Sequence, residues 1–439
     1  MSRNIKIRGP GLVWGQLQLP GDKSISHRVA LMAAVAEGAS KISRFATSAD
    51  CASTLECLKR LGIGIEQDGA QLQIEGRGLH GFKPETNPVR LWAGNSGSTI
   101  RMLSGLLAGQ DFCSEIDGDH SLRKRPMSRI IEPLSLMGAS IESRSGLAPL
   151  RIEGRPLKAI DYTSPVASAQ VKTCVLLAGL LAEGTTSFSE PALSRNHTEI
   201  MLREFGAELK EYNGRLHITG GARLKPVDYS IPGDTSSAAF FVAAAAMLPD
   251  SKLTLRGICL NPTRTAFLEV ISRLGADIKL ENIAERHGEP VGDLVVKAGP
   301  LAADDLVISG ATIPRIIDEI PILAVVATQI RGRIQVRDAS ELRVKESDRI
   351  RTVAEGIRAL GGQIEEFQDG FAIRGPQKLI GSRIDSAGDH RIAMAFSIAG
   401  LAANGTTEII GADSINVSFP EFYQLLAEIT YQGWVSDAG

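Results

Sequence analysis

Leu274-Gly275-Ala276-Asp277-Ile278 is one of five copies of a short string that decides the fold. The others are Leu61-Gly62-Ile63-Gly64-Ile65, Met137-Gly138-Ala139-Ser140-Ile141, Phe205-Gly206-Ala207-Glu208-Leu209 and Leu360-Gly361-Gly362-Gln363-Ile364. Each closes a helix-like stretch on an apolar residue and a glycine, then leads into a β-prone run. A glycine in that place takes the left-handed conformation that ends a helix. The marker glycines are separated by 76, 68, 69 and 86 residues. That spacing is too long for the familiar solenoids, whose repeats run to about 50 residues.

A second marker precedes the first. Polar or Gly-rich starts at Gly21, Gly94, Ser168, Gly233, Asp318 and Gly388 each open an Ala/Leu-rich helical run. Glu183-Gly184-Thr185-Thr186-Ser187-Phe188 and Asn404-Gly405-Thr406-Thr407-Glu408-Ile409 are turn-and-strand sequences that follow such runs. One unit therefore reads helix, strand, second helix, strand, strand. The last unit ends on the helix Pro420-Glu421-Phe422-Tyr423-Gln424-Leu425-Leu426. Its missing strand is assigned to Ile5-Lys6-Ile7-Arg8-Gly9, which is similar to Phe371-Ala372-Ile373-Arg374-Gly375. Length alone suggests about three domains, but six units fit two lobes of three better. The expectation is an α/β chain with residues 1–20 and 234–439 in a C-terminal lobe and 21–233 in an N-terminal lobe. Two crossings, near 20–21 and 232–233, would form a natural hinge.

Composition narrows the function. The chain has 439 residues, 43% hydrophobic and 22% charged, with a net charge of −2, as expected for a soluble globular protein. Bulk attraction to nucleic acid is excluded by that charge, and 5% aromatic content gives no stacking platform for single strands. The five cysteines, at 51, 57, 113, 174 and 259, form no C-x-x-C pair. They read as reduced, mostly buried thiols of a cytoplasmic protein. No apolar run approaches the roughly 18–20 residues that span a membrane, and the N-terminus lacks a signal-peptide core.

The unit starts carry the charge. Gly21-Asp22-Lys23-Ser24-Ile25-Ser26-His27-Arg28 puts Lys23, Ser24 and Arg28 at a helix N-terminus, whose free N–H groups favour an anion. A capped surface helix with solvated cations reads the same string equally well. Gly94-Asn95-Ser96-Gly97-Ser98-Thr99-Ile100-Arg101 offers close backbone approach at Gly97. Arg123-Lys124-Arg125-Pro126 follows, with Arg125 beside a Pro suited to a helix start. Ser168-Ala169-Gln170-Val171-Lys172 supplies hydroxyl and amide groups. In Ser194-Arg195-Asn196-His197, Arg195 can hold a phosphate bidentately.

In the second half, Asp318-Glu319 stands before an apolar helix. Arg343-Val344-Lys345-Glu346-Ser347-Asp348-Arg349-Ile350 mixes both signs, and Lys345 and Arg349 share a face if helical. Ala387-Gly388-Asp389-His390-Arg391 echoes the opening motif. Cations shaped for phosphate and carboxylate thus come from both halves, with acidic residues among them in the second. A cleft closing on small anionic ligands would use that arrangement. Neither H-E-x-x-H nor a Rossmann fingerprint occurs, so a metal-free reaction on Lys, Arg and carboxylates is expected.

These motifs together closely resemble the 5-enolpyruvylshikimate-3-phosphate synthase family over nearly the whole chain. The resemblance implies a two-lobed enolpyruvyl transferase fold, each lobe three βαββαβ units, an inside-out α/β barrel with sixfold internal repeat. It implies transfer of enolpyruvyl from phosphoenolpyruvate to the 5-hydroxyl of shikimate 3-phosphate, through a tetrahedral intermediate, with phosphate released. By resemblance, Lys23, Ser24, Arg28, Ser168, Gln170, Arg195, Asp318 and Lys345 meet shikimate 3-phosphate. Lys23, Gly97, Arg125, Gln170, Arg349 and Arg391 meet phosphoenolpyruvate. Glu346 is the candidate for proton exchange at the methylene carbon, Asp318 for the base on the 5-hydroxyl, and Lys23 for the acid to the leaving phosphate; the last two assignments are interchangeable. No cofactor or metal is implied, a monovalent cation activator stays open, and a cytoplasmic monomer without nucleic-acid or membrane partners is expected.

Two rival readings are kept. A related enzyme on the same fold transfers enolpyruvyl to a UDP-sugar and uses a reactive loop cysteine; the surroundings of Cys113 and Cys174 do not suggest one. A non-catalytic phosphate-ligand sensor would need the cations but not Glu346 and Asp318 with Lys23.

Val417 stands before Ser418-Phe419-Pro420 where many members of the family carry Lys, and Ala169 replaces a second Ser. With Arg195-Asn196-His197-Thr198-Glu199 and Asn261-Pro262-Thr263-Arg264, these changes resemble the class II subgroup, which tends to tolerate glyphosate. Gly97 is associated with a roomy, sensitive pocket. Intermediate to low sensitivity is expected in an inhibition assay against phosphoenolpyruvate; inhibition far below the concentrations of phosphoenolpyruvate that saturate would contradict it.

Overall fold

All five marker glycines end their helices at positive φ, between 78° and 99°, where a side chain would be strained. The computed structural model describes residues 3–437. The chain forms two units. An inserted unit holds Gly21–Ile231 with Glu285–Glu289, and a terminal unit holds the residues up to Pro20, Pro232–Ala284 and the chain from Pro290 onward.

In the inserted unit the repeat is plain in Val89–Trp92, helix Gly97–Leu107, Cys113–Asp117, helix Ser128–Leu136, Ser140–Arg144 and Leu147–Glu153. Val89–Trp92 lies parallel to Cys113–Asp117, in register Val89 to Ser114. A parallel pair needs a crossover, and the helix Gly97–Leu107 provides it. The hairpin then adds antiparallel, giving the order Val89–Trp92, Cys113–Asp117, Leu147–Glu153, Ser140–Arg144. The same order of strand types recurs in the sheets around Glu37–Ser43 and Thr185–Ser189.

Among the described residues the terminal unit has sheets of four, five and four strands. Ile5–Gly9 pairs antiparallel with Gly405–Ile410, Ile5 opposite Ile409. Its other edge is covered by Trp434–Asp437, a strand the repeat pattern does not announce. The helices Thr235–Met247, Ile320–Gln329 and His390–Ala402 pack on one another and are buried along nearly their whole length. Their Ala-rich runs are apolar all round, so no side can face water. Phe240, Phe241, Phe419 and Phe422 fill the adjoining core, Phe241 meeting Phe419 edge-on at 6.1 Å.

The inserted unit buries Lys23–Ala34, Gly97–Leu107 and Ala169–Leu181 in the same way. With their sides enclosed, these helices gather polar chemistry toward their N-terminal ends. Those ends are capped by Asp22, Ser96, Ser168, Asp234 and Asp389, each accepting from a backbone N–H in its own first turn. Ile320–Gln329 differs: it starts after Glu319 without a side-chain cap, with Pro321 in its first turn.

The two-crossing expectation is incomplete. Besides the passages at 20/21 and 231/232, the long hairpin Asp277–Arg286 and Glu289–Lys297 carries its tip into the inserted unit. There His287 bonds Glu204 at 2.8 Å and stacks on Tyr229 at 4.4 Å, and Glu289 bonds buried His197 at 2.6 Å. Sequence alone shows two β-prone runs at this place and nothing of what holds their tip.

Helix Gly97–Leu107 approaches Ala169–Leu181 so closely that a Cβ on Gly105 would lie 2.2 Å from the Cys174 carbonyl oxygen. Gly105→Ala is expected to destabilise the protein by about 1–3 kcal/mol, read as a lower denaturant midpoint; an unchanged midpoint would contradict the packing described.

Candidate functional site

In the inserted unit, helix starts converge through buried hydroxyls. His27 Nδ1 bonds Thr54 Oγ1 at 2.7 Å, Thr54 bonds Thr99 Oγ1 at 2.7 Å, and Thr99 donates to Ser96 Oγ at 2.7 Å. The chain ties the helices Lys23–Ala34, Ala49–Arg60 and Gly97–Leu107 together. Burial, with Lys23 and Arg28 nearby, holds the His27 imidazole well below its ordinary value of 6.5, so it stays neutral and serves the scaffold.

Around this scaffold stand the candidate residues. Lys23 Nζ donates to Asp50 Oδ2 at 2.9 Å. Buried Arg28 donates to Thr198 Oγ1 at 2.8 Å, to the Ser24 carbonyl at 2.9 Å and to the Ala169 carbonyl at 3.2 Å. Arg195 Nη1 donates to Ser24 Oγ at 3.2 Å. Ser24, Arg28, Arg195 and the Ser168–Ala169 helix start thus share one neighbourhood, a set of donors suited to phosphate. Gln170 bridges to a second group: its Oε1 accepts from Arg101 Nη1 at 2.7 Å and its Nε2 donates to Ser98 Oγ at 3.0 Å. Arg125 donates to Asn95 Oδ1 at 2.7 Å and Ser121 Oγ at 3.2 Å. A Cβ on Gly97 would lie 2.8 Å from Arg101 Nη1 and 3.5 Å from Arg125 Nη1, so the missing side chain leaves room beside both guanidiniums.

In the terminal unit the centre is Arg349, the first residue of helix Arg349–Ala359 and 2% exposed. Its Nε donates to Asp389 Oδ2 at 2.8 Å, its Nη2 to Glu346 Oε2 at 2.6 Å, and its Nη1 lies 3.5 Å from Asp318 Oδ1. Burial opposes charge on the guanidinium, but Asp389, Glu346 and Asp318 more than offset it and hold Arg349 above its ordinary range. Asp389 also caps the helix that starts with His390 and Arg391. Arg391 Nη1 sits 3.7 Å from Glu319.

Two expectations need correction. Lys345 and Arg349 do not share a helix face: Lys345 is extended, after the short turn Ser340–Val344, and its ammonium is 3.8 Å from Glu341. Asp348 caps the helix that begins only at Arg349. Pro126 likewise does not start a helix; the next one runs Ser128–Leu136. Of its three cations, Arg123 turns outward to Asp117, while Arg125 makes the contacts above.

Asp50 and Arg101 also lie in the site, although no motif in the sequence assigns them a role. Arg101 carried a signal, a lone cation inside the run Thr99-Ile100-Arg101-Met102-Leu103; Asp50 carried none, since an acid in a first helical turn is ordinary. Burial pushes Cys51 and Cys57 up to about 12, Cys174 higher still, and Cys113 upward as well, so none of these four thiols is activated. Among the described residues no helix is long and apolar enough to cross a membrane.

A family model described as EPSP synthase (3-phosphoshikimate 1-carboxyvinyltransferase) matches residues 7–426. A 3-phosphoshikimate 1-carboxyvinyltransferase of Koribacter versatilis is 47% identical over 428 residues, covering 97% of this chain and 99% of that protein. One from Bacillus subtilis is 46% identical over 420 residues, covering 95% and 97%. Among solved structures, an EPSP synthase from Acinetobacter baumannii superimposes with a TM-score of 0.88 at 40% identity, covering 99% of this chain and 100% of that one. The enolpyruvyl transferase NikO from Streptomyces tendae, at 16% identity and a TM-score of 0.80 over the full length of both chains, shares the fold.

A neutral His27 in the fold takes up a proton only after unfolding. Below its ordinary value of 6.5 the unfolded state binds more protons, so folding stability falls as pH drops through that value. Urea midpoints measured from about pH 7 to 5 are expected to fall less steeply for His27→Gln than for the wild type; equal slopes would contradict a buried neutral imidazole.

Proposed function

The chain belongs to the EPSP synthase (3-phosphoshikimate 1-carboxyvinyltransferase) family, and on that premise we propose how its residues transfer enolpyruvyl from phosphoenolpyruvate to the 5-hydroxyl of shikimate 3-phosphate. The shikimate phosphate is held by Ser24, Arg28, Arg195 and Ser168, with Lys23 beside them. Gln170, Asp318 and Lys345 take the ring hydroxyls. Phosphoenolpyruvate is held by Lys23, Gln170, Arg125, Arg349 and Arg391, over the space that Gly97 leaves. Arginine suits both ligands, since its planar fork matches carboxylate and phosphate oxygens.

The reaction moves two protons each way. In the addition, the methylene carbon gains a proton, the 5-hydroxyl loses one, and the 5-oxygen bonds to the central carbon. In the elimination, the new methyl group gives up a proton, the carbon–oxygen bond to phosphate breaks, and the leaving phosphate is protonated. Glu346 exchanges the proton at carbon. Asp318 serves the 5-hydroxyl and Lys23 the leaving phosphate, or these two roles are reversed. The observation that supports this reading best is the pairing of Asp318 and Glu346 on one buried guanidinium. Two carboxylates are thereby held at fixed positions on a rigid helix start, as general acid–base catalysis requires.

The enzyme acts as a cytoplasmic monomer on these two small molecules, without nucleic acid or membrane, and without a metal or organic cofactor. A monovalent cation is the activator to be tested by replacing K⁺ in the assay.

Glu346→Gln keeps the shape of the side chain and removes its acid–base capacity. Turnover is expected to fall by about 10²–10⁴-fold, with shikimate 3-phosphate affinity nearly unchanged in calorimetry. Exchange of solvent deuterium into the methylene group of phosphoenolpyruvate should disappear with it. Wild-type turnover in this variant would remove Glu346 from the mechanism.

A further inference from the structure

Lys172 follows Gln170 by two residues, yet its side chain is 1% exposed. Its ammonium donates to Glu190 Oε1 at 2.9 Å and to the Ser194 carbonyl at 3.4 Å, and it pairs with Glu199 Oε1 at 2.7 Å. Three acceptors match its three hydrogens. Glu190 in turn ties down two backbone segments. Its Oε1 accepts from Ser194 N at 2.9 Å and Ser194 Oγ at 2.8 Å, and its Oε2 accepts from Ser168 N at 3.2 Å.

Ser194 directly precedes Arg195, and Ser168 caps the helix Ala169–Leu181. One carboxylate, 8% exposed, therefore fixes both arms of the proposed phosphate cradle without being one of its donors. Glu199 lies in helix His197–Glu204, just beyond the arm that carries Arg195, and its bond to Lys172 anchors that side. Charge explains the arrangement. A buried carboxylate that is unpaired is costly, and one facing the cradle would repel phosphate. Lys172 pairs with Glu190 and so balances its charge inside the fold.

We propose that Glu190, held by Lys172, is a positioning residue that sets Ser168 and Arg195 at the spacing of a phosphate group and so gives the enzyme its preference for phosphorylated over unphosphorylated shikimate. The proposal rests on the reading that this cluster takes the shikimate phosphate. Misplacement by about 1 Å costs on the order of 10²-fold in well-oriented sites. For Glu190→Gln, which loses the charge but keeps one acceptor, KM for shikimate 3-phosphate is expected to rise on the order of tenfold. The value of kcat and KM for phosphoenolpyruvate should stay within about threefold, because Ser168 and Arg195 meet only the shikimate phosphate and Gln170 is held separately by Arg101 and Ser98. Binding of unphosphorylated shikimate, measured by competition, should hardly change, so the selectivity between the two ligands collapses. General loosening of the fold would weaken both ligands alike and leave that ratio intact.

The control is Arg195→Ala, which removes a cradle cation outright. If it leaves shikimate 3-phosphate affinity unchanged, the assignment of the cradle fails, and the proposal with it. If Arg195→Ala loses affinity while Glu190→Gln keeps wild-type KM and selectivity, the cradle stands and the positioning role is overturned. Should Glu190→Gln fail to fold, Ser194→Ala deletes a single hydroxyl contact of Glu190. It is expected to lower selectivity in the same direction by a few-fold, and an unchanged ratio would overturn the proposal.

Discussion

Everything in this protein follows from burying six helices on all sides. A helix that is apolar around its whole circumference has no face to give to water or to a ligand. Its N-terminal end is then the favoured place for polar chemistry, because there the backbone already offers unpaired N–H groups and a partial positive charge. Asp22, Ser96, Ser168, Asp234 and Asp389 answer that local need as caps. Several residues that bear the chemistry lie within a few positions of these caps: Lys23, Gly97, Gln170 and Arg391. Repetition of one supersecondary unit thus multiplies one kind of anion-favouring end.

The second constraint is the cost of collecting cations in a protein of net charge −2. Taking an ion out of water costs several kcal/mol before pairing repays it. The buried cations Arg349, Arg28 and Lys172, and the half-buried Lys23, are accordingly matched by particular partners. Arg349 has three carboxylates, Arg28 two carbonyls and a hydroxyl, Lys172 two carboxylates, and Lys23 the Asp50 carboxylate. These partners fix geometry as well as charge. A side chain held from behind meets its ligand with little freedom left to lose. The carboxylates on Arg349 differ in kind: Asp389 is fully buried and caps a helix, whereas Asp318 and Glu346 remain partly accessible, which suits them to proton transfer.

Much of this was legible in the sequence because it depends on local chemistry. The Leu-Gly markers announce helix ends, since only glycine takes that backbone conformation cheaply, and all five do so. The polar starts announce caps for the same reason. What local chemistry does not encode stayed hidden. Lys172 looks like one more cation of the site, and only packing shows it facing inward. Glu190 lies 18 residues from Lys172 and 22 from Ser168, so nothing local connects them. Lys345 and Arg349 stand at helical spacing, yet Asp348 caps between them and breaks the phase. The hairpin tip at His287 is anchored by Glu204 and Tyr229, contacts that no short-range pattern reports.

The central claim is that these helix starts perform one transfer requiring both substrates. Phosphate release is the most direct measurement of it, with shikimate 3-phosphate and phosphoenolpyruvate together, with each alone, and with EDTA added. The account predicts release only when both are present, undiminished by EDTA, with a product whose mass is that of the enolpyruvyl ether. Release from phosphoenolpyruvate alone, or none with both present while shikimate 3-phosphate still binds, would contradict it.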